Sequence, residues 1–384
     1  MKKITTLMIA LFVTAGVSFA QNNNAALNQD GDDNIATIEQ SMANESQAEV
    51  SQEGDLNSSI IEQSGEQNNA SLSNVGDENI AYQVQDGAGN QQRIELWGDG
   101  NTYNAEQFGD ENFIYLNARG TGPGLFGRAD NGGNNNDNEA NIVQSGDNNM
   151  FTGAITGSNN QVDAEQNGNG NQIGGALISG SPVAPMASYN TGALDFIASL
   201  LFGNAWSGNG VNVYGDGNEV DITQSGNYNT GFAFVEGNDN LTQQYLTDSN
   251  GNNAIQAVIG SDNRSVIEAA GNYNTLLSAQ LGYGNDLFLN ARDNGSEYGG
   301  NSNNTFAGLQ LGEDNLISAG INGTNNTLLI GQLGSNNAVG TGFYATDGAN
   351  INGHYNTVQI SQLGDANMAT VGVVGNGNMT TVAQ

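Results

Sequence analysis

Gly54-Asp-Leu-Asn57, Gly65-Glu-Gln-Asn68, Gly76-Asp-Glu-Asn79, Gly87-Ala-Gly-Asn90, Gly98-Asp-Gly-Asn101 and Gly109-Asp-Glu-Asn112 follow one another at a constant interval of 11 residues. The same Gly-x-x-Asn unit returns at Gly31, at Gly146, Gly157 and Gly168, at Gly215, Gly226 and Gly237, and in later groups as far as Gly364 and Gly375. A fixed short period marks a repeat architecture rather than a globular domain. Between each Asn and the next Gly the apolar residues alternate, as in Val220 and Ile222 or Val358 and Ile360. Period two predicts a strand with one face inward. Each unit is then a seven-residue strand, about 23 Å long, closed by a four-residue turn in which Gly accepts positive φ and Asn tolerates it. Neighbours such as Thr37, Glu39, Glu62, Glu95 and Asp221 are expected to face water.

A second period overlies the first. The residue two before Gly is Gln at 85, 107, 144, 166 and 224, but apolar at Leu96, Ile155, Val213 and Val235. The opening block carries Gln29, Gln40, Gln52 and Gln63 without this alternation, and Gln280, Gln310, Gln332 and Gln362 take the position later. Two strands and two turns therefore make a rung of 22 residues, and the fold predicted is all-β, a β-solenoid of stacked rungs. Parallel stacking would lay Gln on Gln and Asn on Asn as amide ladders. The columns expected to form them run through Gln29, Gly31, Asn34, Ala36 and Gln40, then Gln63, Gly65 and Asn68, Gln85, Gly87 and Asn90, and Gln107, Gly109 and Asn112. They continue through Gln144, Gly146 and Asn149, Gln166, Gln224, Gly226 and Asn229, and end at Gln362, Gly364 and Asn367. The 22 units bearing the motif make about 11 rungs, a stack on the order of 50 Å. Its core is thin, so stability must come from neighbour contacts, and the end rungs should be open to pairing.

The motif divides the chain into repeat blocks at 21–116, 138–173, 211–285, 301–339 and 351–384, with inserts at 117–137, 174–210, 286–300 and 340–350. The second insert holds the apolar run Ala193 to Phe202, expected to be a helical cap or a docking segment. Residues 1–20 read as a secretory signal peptide: Lys2 and Lys3, an apolar run from Ile4 to Val17, then Ser18-Phe19-Ala20, with cleavage expected before Gln21. The apolar run is shorter than the roughly 20 residues a bilayer requires. With no cysteine, neither a disulfide nor a thiolate metal site can form.

Charge narrows the function classes. Removal of Lys2 and Lys3 leaves five Arg against 40 acidic residues and moves the formal charge from −33 to −35, which disfavours nucleic acid as a partner. Aspartates beside the turn glycines, including Asp32, Asp55, Asp77, Asp99, Asp110, Asp147, Asp216 and Asp365, raise a calcium reading. Calcium β-rolls use a nine-residue period, so the spacing argues against it, and surface charge limiting lateral association is the simpler reading. An enzyme would need clustered irregularity. Arg93, Arg119, Arg128, Arg264 and Arg292 are scattered, and His354 stands alone in a turn, so no catalytic, metal or cofactor site is expected.

Gln29-x-Gly31-x-x-Asn34-x-Ala36-x-x-x-Gln40 resembles the curlin repeat of curli fibre subunits at every specified position. Gln63 to Ala70 and Gln362 to Ala369 match the same pattern up to its final Gln. The resemblance implies a secreted, extracellular structural subunit that crosses the outer membrane through a dedicated pore, meets a nucleator subunit, and self-associates into cross-β fibres for biofilm and adhesion. A non-polymerising β-solenoid adhesin is the alternative.

Overall fold

The computed structural model describes residues 22–118, 135–175, 208–291, 301–342 and 347–384. The signal segment, the apolar run from Ala193 to Phe202, and Arg119, Arg128 and Arg292 lie outside them. Two parallel sheets face each other, and no described residue is helical. The chain runs along a strand of the first sheet, crosses a forward turn to the second, and comes back through a return turn one level further on. The first sheet opens with Asn24–Asp30 paired to Gln47–Glu53, and the second with Ile35–Asn44 paired to Ser58–Glu66. This is the β-solenoid of two-strand rungs that the periodicity predicts.

Counting levels along each sheet gives fourteen in the first and thirteen in the second. The described residues thus stack in thirteen and a half rungs, roughly 60 Å at the strand-pairing distance. The sequence count of about 11 is corrected upward because stacking does not need Gly in every turn. Asn135-Asn-Asp-Asn138, Ser249-Asn-Gly-Asn252 and Asn301-Ser-Asn-Asn304 turn the chain without the motif's Gly, and Ala43 to Ser46 does so with neither Gly nor Asn at the specified positions. Where a rung holds one extra residue, as between Asn34 and Asn57, the register shifts once, between Ser41 and Asn44, and the columns resume. Met42 and Asp248, the extra residues of two such rungs, have φ of 51° and 48°.

The strands extend into segments assigned above to inserts. Asp286–Ala291 pairs in register with Arg264–Asn272, so the stack continues into 286–300, and Phe113–Ala118 runs past residue 116. Asn135 and Asn138 already occupy turn columns, and the strand Ala349–His354 begins before 351. Two insert positions fall within a strand rather than at a turn. Gln172–Gly175 and Val211–Tyr214 share one level on Met150–Thr156, and Ala338–Val339 and Ala349–His354 share another on Leu316–Thr324. Neither disturbs the columns on either side.

Inside, Ala, Ile, Val and Leu from the two sheets meet in two apolar clusters, one ending at Val235 and the other beginning at Leu246. Between them lies a polar layer. The Gln244 amide donates to the Phe232 carbonyl at 2.6 Å, the Gln256 amide donates to Ser265 at 3.0 Å, and the Ser265 and Ser278 hydroxyls meet at 2.6 Å. Full burial does not guarantee a partner: the Tyr103 hydroxyl is buried with no hydrogen bond among the described residues, and burial pushes its pKa up.

The expectation that outward residues face water fails in places. Phe232 and Phe234 project from the outer face of the first sheet yet are only 7% and 5% exposed, packed with Ala257, Tyr214, Ile255 and Ile259. Glu95 is buried beneath Arg93, whose guanidinium ion-pairs with it. Large side chains on adjacent levels shield one another because the strand spacing of about 4.8 Å is shorter than their reach.

Asp221 is half-buried between paired Asp163 and Gln243, with the Tyr245 hydroxyl donating to it at 2.6 Å. Burial raises its pKa above 3.8; the Tyr245 hydrogen bond opposes the shift, and the charges of Asp163 and Glu165 add to it. A carboxyl with a raised folded-state pKa favours the fold most fully below its unfolded value and loses that contribution as pH rises through the folded value. Asp221→Asn is therefore expected to stabilise the chain at pH 7, with the gain shrinking as pH falls through the raised folded-state value and gone below about 3.8. Thermal unfolding at several pH values tests this, and a gain independent of pH would contradict it.

Candidate functional site

The predicted glutamines form two ladders on opposite sheets. In the second sheet Gln40 donates to Gln63, and the series continues through Gln85, Gln107, Gln144 and Gln166 to Gln224, each Nε2 reaching the next Oε1 at 2.7–3.0 Å. In the first sheet Gln280 donates to Gln310, then Gln332, Gln362 and Gln384 at 2.8–3.0 Å. Gln29 belongs to neither and donates to Gln52 at 2.6 Å. The first ladder stops at Gln224 because Leu246 occupies the next level, and the second starts after Val258. Most of these glutamines also donate to a backbone carbonyl of the facing sheet, as Gln144 does to Phe113 at 3.1 Å, so each amide ties two levels and both sheets together.

Two asparagine ladders run along the edges. In the forward turns Asn57 donates its backbone N–H to Asn34 Oδ1 at 2.9 Å and its Nδ2 to the Gly76 carbonyl at 2.7 Å. The arrangement repeats down to Asn367. Asn68, Asn90, Asn112, Asn149 and Asn229 belong to the return turns. Inserts do not break these columns: Asn138 follows Asn101 although 37 residues separate them, and Asn218 follows Asn160 across 58. The glycines lie where turns stack most closely. A Cβ on Gly65 or Gly87 would fall 2.0 Å from the carbonyl oxygen of the next turn. Gly31, Gly109, Gly146 and Gly226 meet the following turn in the same way, whereas a Cβ on Gly364 would meet only the Asn367 amide, at 3.9 Å. Ala36 lies in the opening rung, half-buried against the apolar core.

The turn aspartates have a role that composition did not disclose. Asp55, Asp77 and Asp99 each accept, through Oδ1, the backbone N–H of the residue in the same place one level earlier, at 2.7–2.9 Å. Asn136 extends this third ladder in the forward turns, and Asp110, Asp147 and Asn169 build its counterpart in the return turns. His354 fills the same place, its Nδ1 accepting the Thr324 backbone N–H at 3.2 Å. The signal was present in the residue after each Gly, which is Asp or Asn in many turns, but isolated turns conceal that the side chain reaches a different rung. No three His, Cys, Asp or Glu side chains converge on a metal-sized site among the described residues. Inward Gln83, Gln92, Gln244 and Gln256 were also missed, because they lie at other points along their strands.

Among the described residues, the interior columns are uncovered at the first and last levels. Ala48 and Val50 are buried, but Ala25 is exposed and Leu27 half-exposed in the same columns one level earlier. At the other end Thr380 and Val382 are half-exposed, while Val358 and Ile360 beneath them are buried.

The family model for the curlin associated repeat matches the chain at residues 43–73, 215–243 and 353–384. These three stretches lie in the early, middle and final rungs. No curated protein matches the chain.

Proposed function

We propose that this curlin-repeat chain is a secreted structural subunit of a curli-like extracellular fibre, serving biofilm matrix and cell adhesion. The observation that carries the reading is a stack bonded continuously from level to level, whose first and last described strands leave their inward columns part-exposed. An unpaired edge is a template for another chain, and soluble proteins ordinarily blunt it. Export would use the segment from Lys2 to Ala20, an outer-membrane pore and a nucleator subunit, as curlin repeats imply.

The test is assembly of the purified chain starting at Gln21. Dye-binding fibres with a meridional reflection near ~4.8 Å are expected. A lasting monomer with β-rich circular dichroism would refute the proposal and favour the non-polymerising adhesin.

A further inference from the structure

Five successive levels of the first sheet carry two uncharged columns on their outer face. Phe232, Ile255, Leu277, Ala307 and Leu329 follow one another in register, and the column from Phe234 to Leu309 beside them is equally apolar. Over the same part of the stack the second sheet turns Asp221, Arg264, Glu268 and Asp286 outward. Phe232, Phe234, Ala257, Leu277 and Ala307 are all buried. Shielding between levels does not by itself take an outward ring this far: Tyr82 and Tyr115, with strands on both sides, stay part-exposed. Phe232 and Phe234 have less beside them, since the level before them offers only Asn212 and glycine. Every described strand lies in one of the two sheets or in the short antiparallel pair at Gly208–Asn209, so none forms a layer over this face.

The chain between 175 and 208 leaves and returns beside these columns. Gly174 and Gly175 pair with Asn209 and Gly208 one level before Phe232, and Gly174 falls in the column of Phe232. Departure is toward the outer side. A Cβ on Gly174 would lie 2.1 Å from Thr152 Oγ1, an outward hydroxyl that also accepts the Gly210 N–H at 3.0 Å. The inner side is filled by Phe151, Ile173 and Val211 of the apolar core. Residues 176–207 hold a single charged side chain, Asp195, together with the apolar run 193–202.

We propose that residues 193–202 dock on the outer face of the first sheet and supply the apolar layer over Phe232, Phe234, Ala257, Leu277 and Ala307. The fibre reading is not needed for this. Reach is sufficient: four level spacings put Ala307 roughly 19 Å from the point of departure, which fewer than ten extended residues span. Chemistry matches on both sides, an uncharged apolar face and an almost uncharged apolar segment in a chain of formal charge −33. The size of the face also favours the chain's own segment over a second copy. Two columns over five levels cover roughly 24 Å by 12 Å, about 300 Å², against the ~800 Å² that each partner buries in a stable complex. A tethered segment meets so small a face at high effective concentration, whereas a separate molecule does not.

Because the chain has no cysteine, an introduced thiol is its sole maleimide target. Ala257→Cys puts the thiol on the covered face, Ala254→Cys puts it in the interior of the same strand, and Ala26→Cys puts it on an exposed outward face. Labelling of the unassembled chain starting at Gln21 is expected to be slower at position 257 than at position 26 by about tenfold or more. Phe196→Ser, Leu200→Ser and Phe202→Ser together make the docking run polar. They are expected to raise the rate at position 257 toward that at position 26 and to leave position 254 slow. Fast labelling at position 257 without these changes, slow labelling that survives them, or an equal acceleration at position 254 overturns the proposal. Protection at position 257 that appears only as protein concentration rises assigns the face to a second copy and overturns it as well.

Discussion

Replacing Gly260 by Ala is expected to destabilise the stack by about 3 kcal/mol or more, since the added group is strained both by its own backbone and by the next turn. Gly260 has φ of +123°, a conformation that L side chains rarely adopt, and its Cβ would lie 1.8 Å from the Gly282 carbonyl oxygen. That oxygen cannot retreat without cost, because the Asn263 amide donates to it at 2.9 Å. In a solenoid each rung contacts only its neighbours, so the damage should be local. Hydrogen exchange is expected to quicken most in the rungs from Leu241 to Tyr283 and little near Gly65. Gly331→Ala is the control: nothing lies within 4 Å of its Cβ position, and a change within about 0.5 kcal/mol is expected. Equal losses in denaturant unfolding for the two variants would show that turn stacking is not what requires glycine.

Substituting Gln144 by Leu tests the ladder at its middle. The side chain is fully buried, accepts from Gln107 at 2.9 Å, and donates to Gln166 at 2.7 Å and to the Phe113 carbonyl at 3.1 Å. Leucine fills nearly the same space but leaves the Gln107 donor and the Gln166 acceptor without their ladder partners. Each orphaned buried group costs about 1–3 kcal/mol, so a loss on the order of 3 kcal/mol is expected. Gln29→Leu, in the half-exposed opening rung, should change stability by less than about 1 kcal/mol because water can replace the amide. The comparison is made by denaturant titration of monomer before assembly. Similar midpoints for the two variants would mean that the ladder contributes little beyond shape.

Much of this molecule is legible in the residues. Alternation such as Val220 and Ile222 requires strands, and the 11-residue Gly-x-x-Asn unit requires a turn after each. Gln85, Gln107, Gln144 and Gln166, recurring at one place in alternate strands, point to the rung and to amide stacking. Each of these inferences uses a local rule or a constant spacing. Legibility fails where spacing changes. Asn101 and Asn138 are neighbours across 37 residues, and no period would pair them, yet their side chains meet because both turns lack a partner until they stack. The aspartate ladder escaped for a related reason: Asp77 looks like a solvated acid until Asp55 is one level below it, offering an N–H.

The sequence by itself determined the all-β class, the strand and turn unit, the two-strand rung and the residue types inside it, because φ preference and side-chain alternation are properties of a few consecutive residues. Only the tertiary structure decided the number of levels, the place of the inserts within strands, and the transfer of the glutamine ladder from one sheet to the other. Those depend on which distant turns share a column. Column membership follows from hydrogen bonds between levels, for which a single unit carries the groups but not the partner.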